Sequence, residues 1–229
     1  MLIAIKKILN KIKLILLAFS FLFTSSCNKK ESFSATNLFD KTILKVVEVK
    51  SSTDNIAFGY ATGFYISSNG YILTNKHVIY NETYNLKYDY VYIRVANYDK
   101  YTKAEVIDIS SNYDLAILKV NQSNCMYFTT SQDFKAGEEI FTIGNPLNIG
   151  LSFSQGYISS PYRKINDTYV LQTSLVISEG NSGGPVFNKD GKLLGIISFR
   201  LKDNTQANSS ISFAVPSIYI DEYISQFIQ

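Results

Sequence analysis

Three side chains of this sequence could do chemistry together: His77, Asp114 and Ser182. The serine lies in Glu179-Gly180-Asn181-Ser182-Gly183-Gly184-Pro185-Val186, where three glycines and a proline crowd one hydroxyl. Gly180 and Gly183 let the backbone turn sharply and approach a bound substrate with no Cβ in the way. Such a turn can aim N–H groups at an oxyanion developing beside a nucleophilic hydroxyl. His77 is the only histidine of the chain, in Leu73-Thr74-Asn75-Lys76-His77-Val78-Ile79, a polar stretch flanked by apolar residues where a loop could present its ring. Asp114 sits in Tyr113-Asp114-Leu115-Ala116-Ile117-Leu118, at the mouth of an apolar run. A carboxylate there needs a partner, because burying it unpaired is costly, and an imidazole N–H is suited to the task. Nucleophile, base and orienting acid form the constellation of acyl transfer. Taken singly, each has a plainer reading. Gly/Asn/Ser clusters are ordinarily loops, a lone histidine is ordinarily structural or a surface feature, and Asp114 alone reads as a turn or edge aspartate.

These residues need a scaffold, and from about Phe39 the pattern is almost wholly β. Ile43 to Val49 is a first apolar strand. Ile56 to Ser67 and Tyr71 to Thr74 read as a hairpin across Asn69-Gly70. Tyr88 to Val95 alternates strictly; its row of tyrosines could stack on bases, but a net-acidic chain beyond residue 26 favours a half-covered strand. Ala104 to Ile109 and Leu115 to Val120 supply two more. A second series begins after about Ser131 and runs through Glu139–Ile143, Ser152–Ile158, Tyr169–Ile177, Val186–Phe187, Leu193–Phe199 and Ser212–Val215. Short strands at near-regular spacing indicate barrels or sandwiches, so the expected class is all-β. The one persuasive helix is the tail, Pro216 to Ile228, with an apolar stripe of Ile218, Ile220, Tyr223, Ile224 and Phe227.

The charge balance excludes a nucleic-acid footprint. Of 22 basic side chains, Lys6, Lys7, Lys11 and Lys13 fall in an acid-free stretch of 26 residues; setting them aside leaves 18 against 19 acidic. That stretch continues as an apolar run, Leu14 to Phe23, and then Thr24-Ser25-Ser26-Cys27. Basic start, short apolar run and small residues make an export signal over residues 1–26, too short to span a bilayer comfortably. A cysteine directly after them resembles a bacterial lipobox, with Thr24 where leucine is usual. The resemblance implies lipidation at Cys27, a tether over residues 27–38, and a protein anchored in the cell envelope. Cys125 is the only other cysteine, so a lipidated Cys27 leaves no intrachain disulfide and the domain must be held by its core. Cys125 reads as a structural thiol.

The order His77, Asp114, Ser182 is that of the chymotrypsin-type triad. Beyond the order, the chain resembles the HtrA/DegP-like group of trypsin-fold serine proteases from Phe39 to its end. Gly63-Phe64 and Ser67 through Val78 resemble that group's histidine block, and Tyr113 through Val120 its aspartate block. Ile143-Gly144-Asn145-Pro146 and Gly156-Tyr157-Ile158-Ser159 resemble its mid-domain markers. Gln172-Thr173 and Gly180 through Pro185 resemble its serine block, and Phe213-Ala214-Val215-Pro216 its closing strand. The resemblance implies two six-stranded antiparallel β-barrels, about 39–128 and 129–229, with a C-terminal helix. One barrel would supply His77 and Asp114, the other Ser182, with the site between them. It implies a serine endopeptidase acting on unfolded or exported polypeptides, an oxyanion hole from the N–H groups of Gly180 and Ser182, and no metal or organic cofactor.

Departures from the group are equally specific. Ser174-Leu175-Val176-Ile177-Ser178-Glu179 stands where an Asp-Ala-Ala-Ile-Asn-Pro-like segment is usual. Val176 lies where trypsin-like enzymes place the acid that selects basic substrates, so the expected pocket, with Glu179, Ser198 and Phe199, favours small or medium aliphatic side chains. The segment Pro161 to Asp167 is short for a regulatory loop, and the expected domain lacks the group's usual C-terminal PDZ module. These differences bear on peptide-activated regulation and leave a homo-oligomer open. A second reading keeps the fold and drops the chemistry: a catalytically silent protein-binding module on the cell envelope.

Overall fold

Two series of short strands each close on themselves. The structure, a computed structural model, describes residues 33–53, 56–165, 168–201 and 211–228; the expected export signal and Cys27 lie outside them. The first barrel is built from β1 (Val46–Thr53), β2 (Ile56–Tyr65), β3 (Tyr71–Thr74), β6 (Tyr90–Val95), β7 (Thr102–Ile109) and β8 (Ala116–Lys119). Its order is β1-β2-β3-β8-β7-β6, and β1 pairs antiparallel with both β2 and β6 to complete the ring. A two-stranded ribbon, β4 (Tyr80–Asn81) and β5 (Leu86–Lys87), projects between β3 and β6. The second barrel takes β9 (Glu139–Gly144), β10 (Ser152–Ile165), β11 (Thr168–Thr173), β12 (Pro185–Asn188), β13 (Leu193–Leu201) and β14 (Ile211–Pro216), in the order β10-β11-β14-β13-β12-β9. Closure leaves neither ring with an unpaired edge.

The continuous apolar runs, as opposed to the alternating ones, mark strands buried on both faces. Within β3, Ile72 points into the first barrel and Leu73 points out of it, toward the second. Leu118 and Ile117 divide in the same way on β8. On β9, Ile140 fills the second barrel while Phe141 and Ile143 face the first; Val186 and Phe187 repeat the division on β12. A third core therefore lies between the rings, contributed by both. Phe128, Phe141, Phe153 and Phe187 pack there at centroid separations of 5.3 to 6.5 Å. Because the side-chain period is two, slipping one of these strands by a residue would exchange barrel core for interface core. On the outer strand β6 the expected alternation holds, with Val91 and Ile93 buried and Tyr90 and Tyr92 half-covered.

Several elements depart from the sequence expectation: Ile43–Lys45, expected to open the first strand, is a short 3-10 turn, and the strand expected to reach Ile177 ends at Thr173. Ala35–Thr42 is a helix, started by Ser34, whose Oγ accepts from Asn37 N–H at 3.3 Å; it overlaps the stretch expected to be a tether. Leu38 of this helix is buried in the interface core, and Phe39 meets Phe153 edge-on at 5.8 Å. The strand expected at Ser152–Ile158 continues to Ile165. It pairs with β9 along its first half and β11 along its second, and two register shifts between Ile158 and Arg163 bend it round the barrel. The tail helix is Ser217–Ile224, shorter than its periodic stripe. It crosses to the first barrel: Tyr223 Oη donates to Asp108 Oδ2 at 2.7 Å, and Tyr219 stacks on Tyr113 at 4.6 Å. No helix of the described residues is long and apolar enough to cross a membrane.

Candidate active site

His77 is carried on a single helical turn, Lys76–Ile79, directly after β3. Val78 and Ile79 are buried in the first barrel, which leaves His77 facing outward with its side chain 46% exposed. Asp114 sits in the loop from β7 to β8. Ser110 Oγ accepts from the N–H groups of Asn112 and Tyr113 at 3.2 and 3.1 Å and tightens that loop. Asn75, fully buried, donates from Nδ2 to the Asp114 carbonyl at 2.9 Å and fastens the two segments together.

The carboxylate of Asp114 meets His77 twice. Its Oδ1 accepts the His77 backbone N–H at 3.1 Å, and the ring Nδ1 lies 3.0 and 2.9 Å from Oδ1 and Oδ2. An ionised carboxylate can only accept, so the proton of the neutral imidazole sits on Nδ1 and Nε2 is left as an acceptor. Ser198 Oγ, from β13 of the second barrel, donates to Asp114 Oδ2 at 2.5 Å. Expected as a pocket wall, Ser198 is thus also a partner of the acid.

Ser182 stands at the tip of a turn shaped by two glycines with left-handed backbone, Gly180 at φ +96° and Gly183 at φ +83°. At Gly180 a Cβ would lie 2.0 Å from the Asn145 carbonyl oxygen, and at Gly183 it would lie 2.0 Å from that of Thr62. No other residue fits either place without displacing backbone. Within the turn, Asn181 N–H donates to Ser178 O at 3.1 Å and Gly184 N–H to Asn181 O at 2.9 Å. Leu147 N–H takes the Glu179 carbonyl at 2.7 Å. Among the described residues the N–H groups of Gly180 and Ser182 have no acceptor, which leaves two adjacent donors at the turn carrying the hydroxyl.

His77 and Ser182 line one cavity of about 520 Å³, together with Tyr60, Tyr88, Leu147, Glu179 and Gly180. No hydrogen bond joins the ring to the hydroxyl among the described residues. His77 also lines a second cavity of about 700 Å³, with Tyr113, Asp114, Tyr169, Val170, Ser198 and Val215. Both cavities have the imidazole in their walls. Of the residues expected to form a substrate pocket, Glu179 and Ser198 reach these walls. Val176 does not: Leu175 and Ile177 turn into the second barrel's core, and Val176 between them is left 69% exposed. The Phe199 side chain lies outside the described residues.

Thr62 and Asn145 are two buried residues of the site that pattern reading passed over. Thr62 stands immediately before Gly63 and Asn145 immediately after Gly144. A polar residue flanking a glycine in an apolar strand was the available signal, since burial obliges it to find partners.

The trypsin-like peptidase domain profile matches residues 61–196. A probable periplasmic serine endoprotease, DegP-like, of Halomonas elongata is 36% identical over 160 residues, covering 68% of this chain and 32% of that protein. Its counterpart in Bartonella henselae is 33% identical over 181 residues, covering 76% and 34%. The chain thus spans about a third of the length of these curated relatives. Among solved structures, the HtrA-type protease AlgW with a tripeptide superposes with a TM-score of 0.75 at 25% identity, covering 86% of this chain and 64% of that one. The serine endoprotease from Yersinia pestis superposes with a TM-score of 0.72 at 28% identity, covering 85% and 66%. Paired barrels, a histidine and an aspartate from one and a serine turn from the other agree with the match over most of the domain: the chain belongs to the trypsin-like peptidase family.

Proposed function

We propose that this protein is a serine endopeptidase working through His77, Asp114 and Ser182. The observation that carries the reading is the convergence of His77, held by Asp114, and Ser182 on the wall of one cavity, beside two unpaired N–H groups. A hydrogen bond between Oγ and Nε2 need not be formed in the free protein, since catalytic hydrogen bonds commonly tighten only when substrate is bound.

In the first step Ser182 Oγ forms a bond to the carbonyl carbon of the scissile peptide while its proton passes to His77 Nε2. The carbonyl oxygen takes the negative charge and accepts from Gly180 and Ser182 N–H, donors worth about 3–4 kcal/mol each in such sites. Asp114 holds the imidazolium in place without taking its proton. The C–N bond then breaks as His77 returns the proton to the leaving amine. Water, activated by the same imidazole, frees the acyl group from Ser182.

Unfolded polypeptides are the proposed substrates, since the exposed His77 side chain borders two cavities with room for a chain segment. Curated relatives named as periplasmic support a place in the cell envelope, with export by residues 1–26 and a lipid on Cys27 holding the domain at a membrane. Assembly into a homo-oligomer is compatible with this reading. The test is labelling by a fluorophosphonate probe together with casein hydrolysis. Both are expected in the native protein, and Ser182→Ala abolishes labelling and lowers kcat by about 10⁵–10⁶ while the fold persists. Labelling that survives Ser182→Ala, or its absence from the native protein, would overturn the assignment.

A further inference from the structure

We infer that Thr62 is a positioning residue for the serine turn, a role that rests on the peptidase reading above. Thr62 belongs to β2 of the first barrel and is fully buried, yet it makes most of its hydrogen bonds with the second. Its Oγ1 accepts from Asn145 N–H at 3.0 Å and donates to the Gly180 carbonyl at 2.7 Å. Its own N–H donates to the Ser182 carbonyl at 2.9 Å. Its carbonyl accepts from Thr74 Oγ1 at 2.8 Å, on the strand that leads to His77.

Peptide planarity turns these contacts into an aiming device. Fixing a carbonyl fixes the direction of the N–H across the same peptide bond. The Gly180 N–H is aimed because the Glu179 carbonyl is held by Leu147 N–H, in the loop that begins at Asn145. The Ser182 N–H is aimed because the Asn181 carbonyl is held by Gly184 N–H. Thr62 grips the carbonyls of Gly180 and Ser182, which bracket the Ser182 N–H and hold the residue that carries the other donor, and grips Asn145 at the root of the Leu147 loop. One hydroxyl therefore joins the segment that aims the first donor to the turn that carries both. The hydroxyl does this as donor and acceptor at once, which no apolar isostere can reproduce. Glycines at 180 and 183 permit the close approach, since a Cβ at either would strike the Asn145 or Thr62 carbonyl.

The experiment compares Thr62→Val and Thr62→Ala, which lack the hydroxyl, with Thr62→Ser, which keeps it. Steady-state hydrolysis of an internally quenched peptide and backbone hydrogen exchange are read on the same proteins. The Val and Ala variants are expected to lose about 10- to 100-fold in kcat with KM within about threefold, as for a donor misplaced in the transition state. Exchange at Asn145 N–H should rise by about tenfold or more in both. Thr62→Ser should stay within about threefold of the native protein on every measure. If Val misfolds, the Ala and Ser pair still differs by the hydroxyl alone. Native kcat in Val or Ala, or a loss in Ser equal to theirs, would overturn the inference. Were the native protein itself inactive, the peptidase reading would fall and exchange would decide the strap. Faster exchange confined to the hydroxyl-less variants supports it; unchanged exchange overturns it.

Discussion

Ser198 Oγ lies 2.5 Å from Asp114 Oδ2, so the barrel that carries the serine turn also supplies a donor to the acid of the other barrel. Together with the His77 N–H on Oδ1 and the ring Nδ1, the carboxylate accepts on both oxygens. In Asp114→Asn one of these positions becomes an NH₂ that must face a donor or turn the imidazole to the other tautomer. On the proposed mechanism kcat should fall by about 10³–10⁴ with the melting temperature little changed. Peptide hydrolysis with a parallel thermal melt checks this, and activity within tenfold of native would count against Asp114 as the orienting acid.

Gly183 and Gly137 share a left-handed backbone, φ +83° and +82°, in unlike surroundings. A Cβ at Gly137 meets nothing within 4 Å, whereas at Gly183 it strikes the Thr62 carbonyl. Gly137→Ala should therefore cost about 1 kcal/mol, for backbone strain alone. Gly183→Ala should cost about 2–4 kcal/mol and displace the serine turn. Urea unfolding of the two variants separates the terms; equal costs would mean the contact relaxes freely.

Phe187 has no exposed surface and packs against Phe128, Phe141 and Phe153 between the barrels. Phe187→Ala should cost about 3–5 kcal/mol, the upper range for large-to-small changes in a core. A single sharpened or shifted transition is expected, because the ring serves both halves. Two separate transitions would show that the halves unfold independently.

Alkali should unfold the protein in a defined window. Burial, then the hydrogen bond to Glu222, pushes the Tyr113 phenol up to about 12. Tyr101 is likewise pushed up to about 12, by burial first and by Glu48 beside it. Burial and the bond to Asp108 raise Tyr223 further in the same direction. A phenol whose native pKa is raised favours the folded state fully below its ordinary value of about 10, and that contribution drains as pH climbs toward the native value. Urea midpoints should thus fall between about pH 10 and 12, and less steeply in Tyr113→Phe. A flat profile over that interval would contradict the burial of these hydroxyls.

The rings were legible because strand periodicity and closure both leave local marks. Val91 and Ile93 alternate with tyrosines, and two-sided burial leaves unbroken runs such as Leu115 to Leu118. Ala35–Thr42 escaped notice because the stretch is short and largely polar. What orders it is Ser34 at its start and the docking of Leu38 and Phe39 against residues far along the chain. Val176 was misplaced for a related reason. Its distance from Ser182 in sequence suggested a pocket, but the inward turn of Leu175 and Ile177 decides where it points. Thr62 shows the remaining limit: its partners Asn145 and Gly180 stand 83 and 118 residues away, and no local pattern encodes contacts at such separations.

The core shared by the two rings also governs timing. Its members come from residues as far apart as Leu38 and Tyr223, so it cannot be complete until the chain has been made through Tyr223. A growing polypeptide holds its imidazole and carboxylate long before it holds the hydroxyl they serve. On the proposed chemistry, the nascent protein has no nucleophile until Ser182 has been added, and the core that joins the two rings is complete only after the helix Ser217–Ile224 has followed.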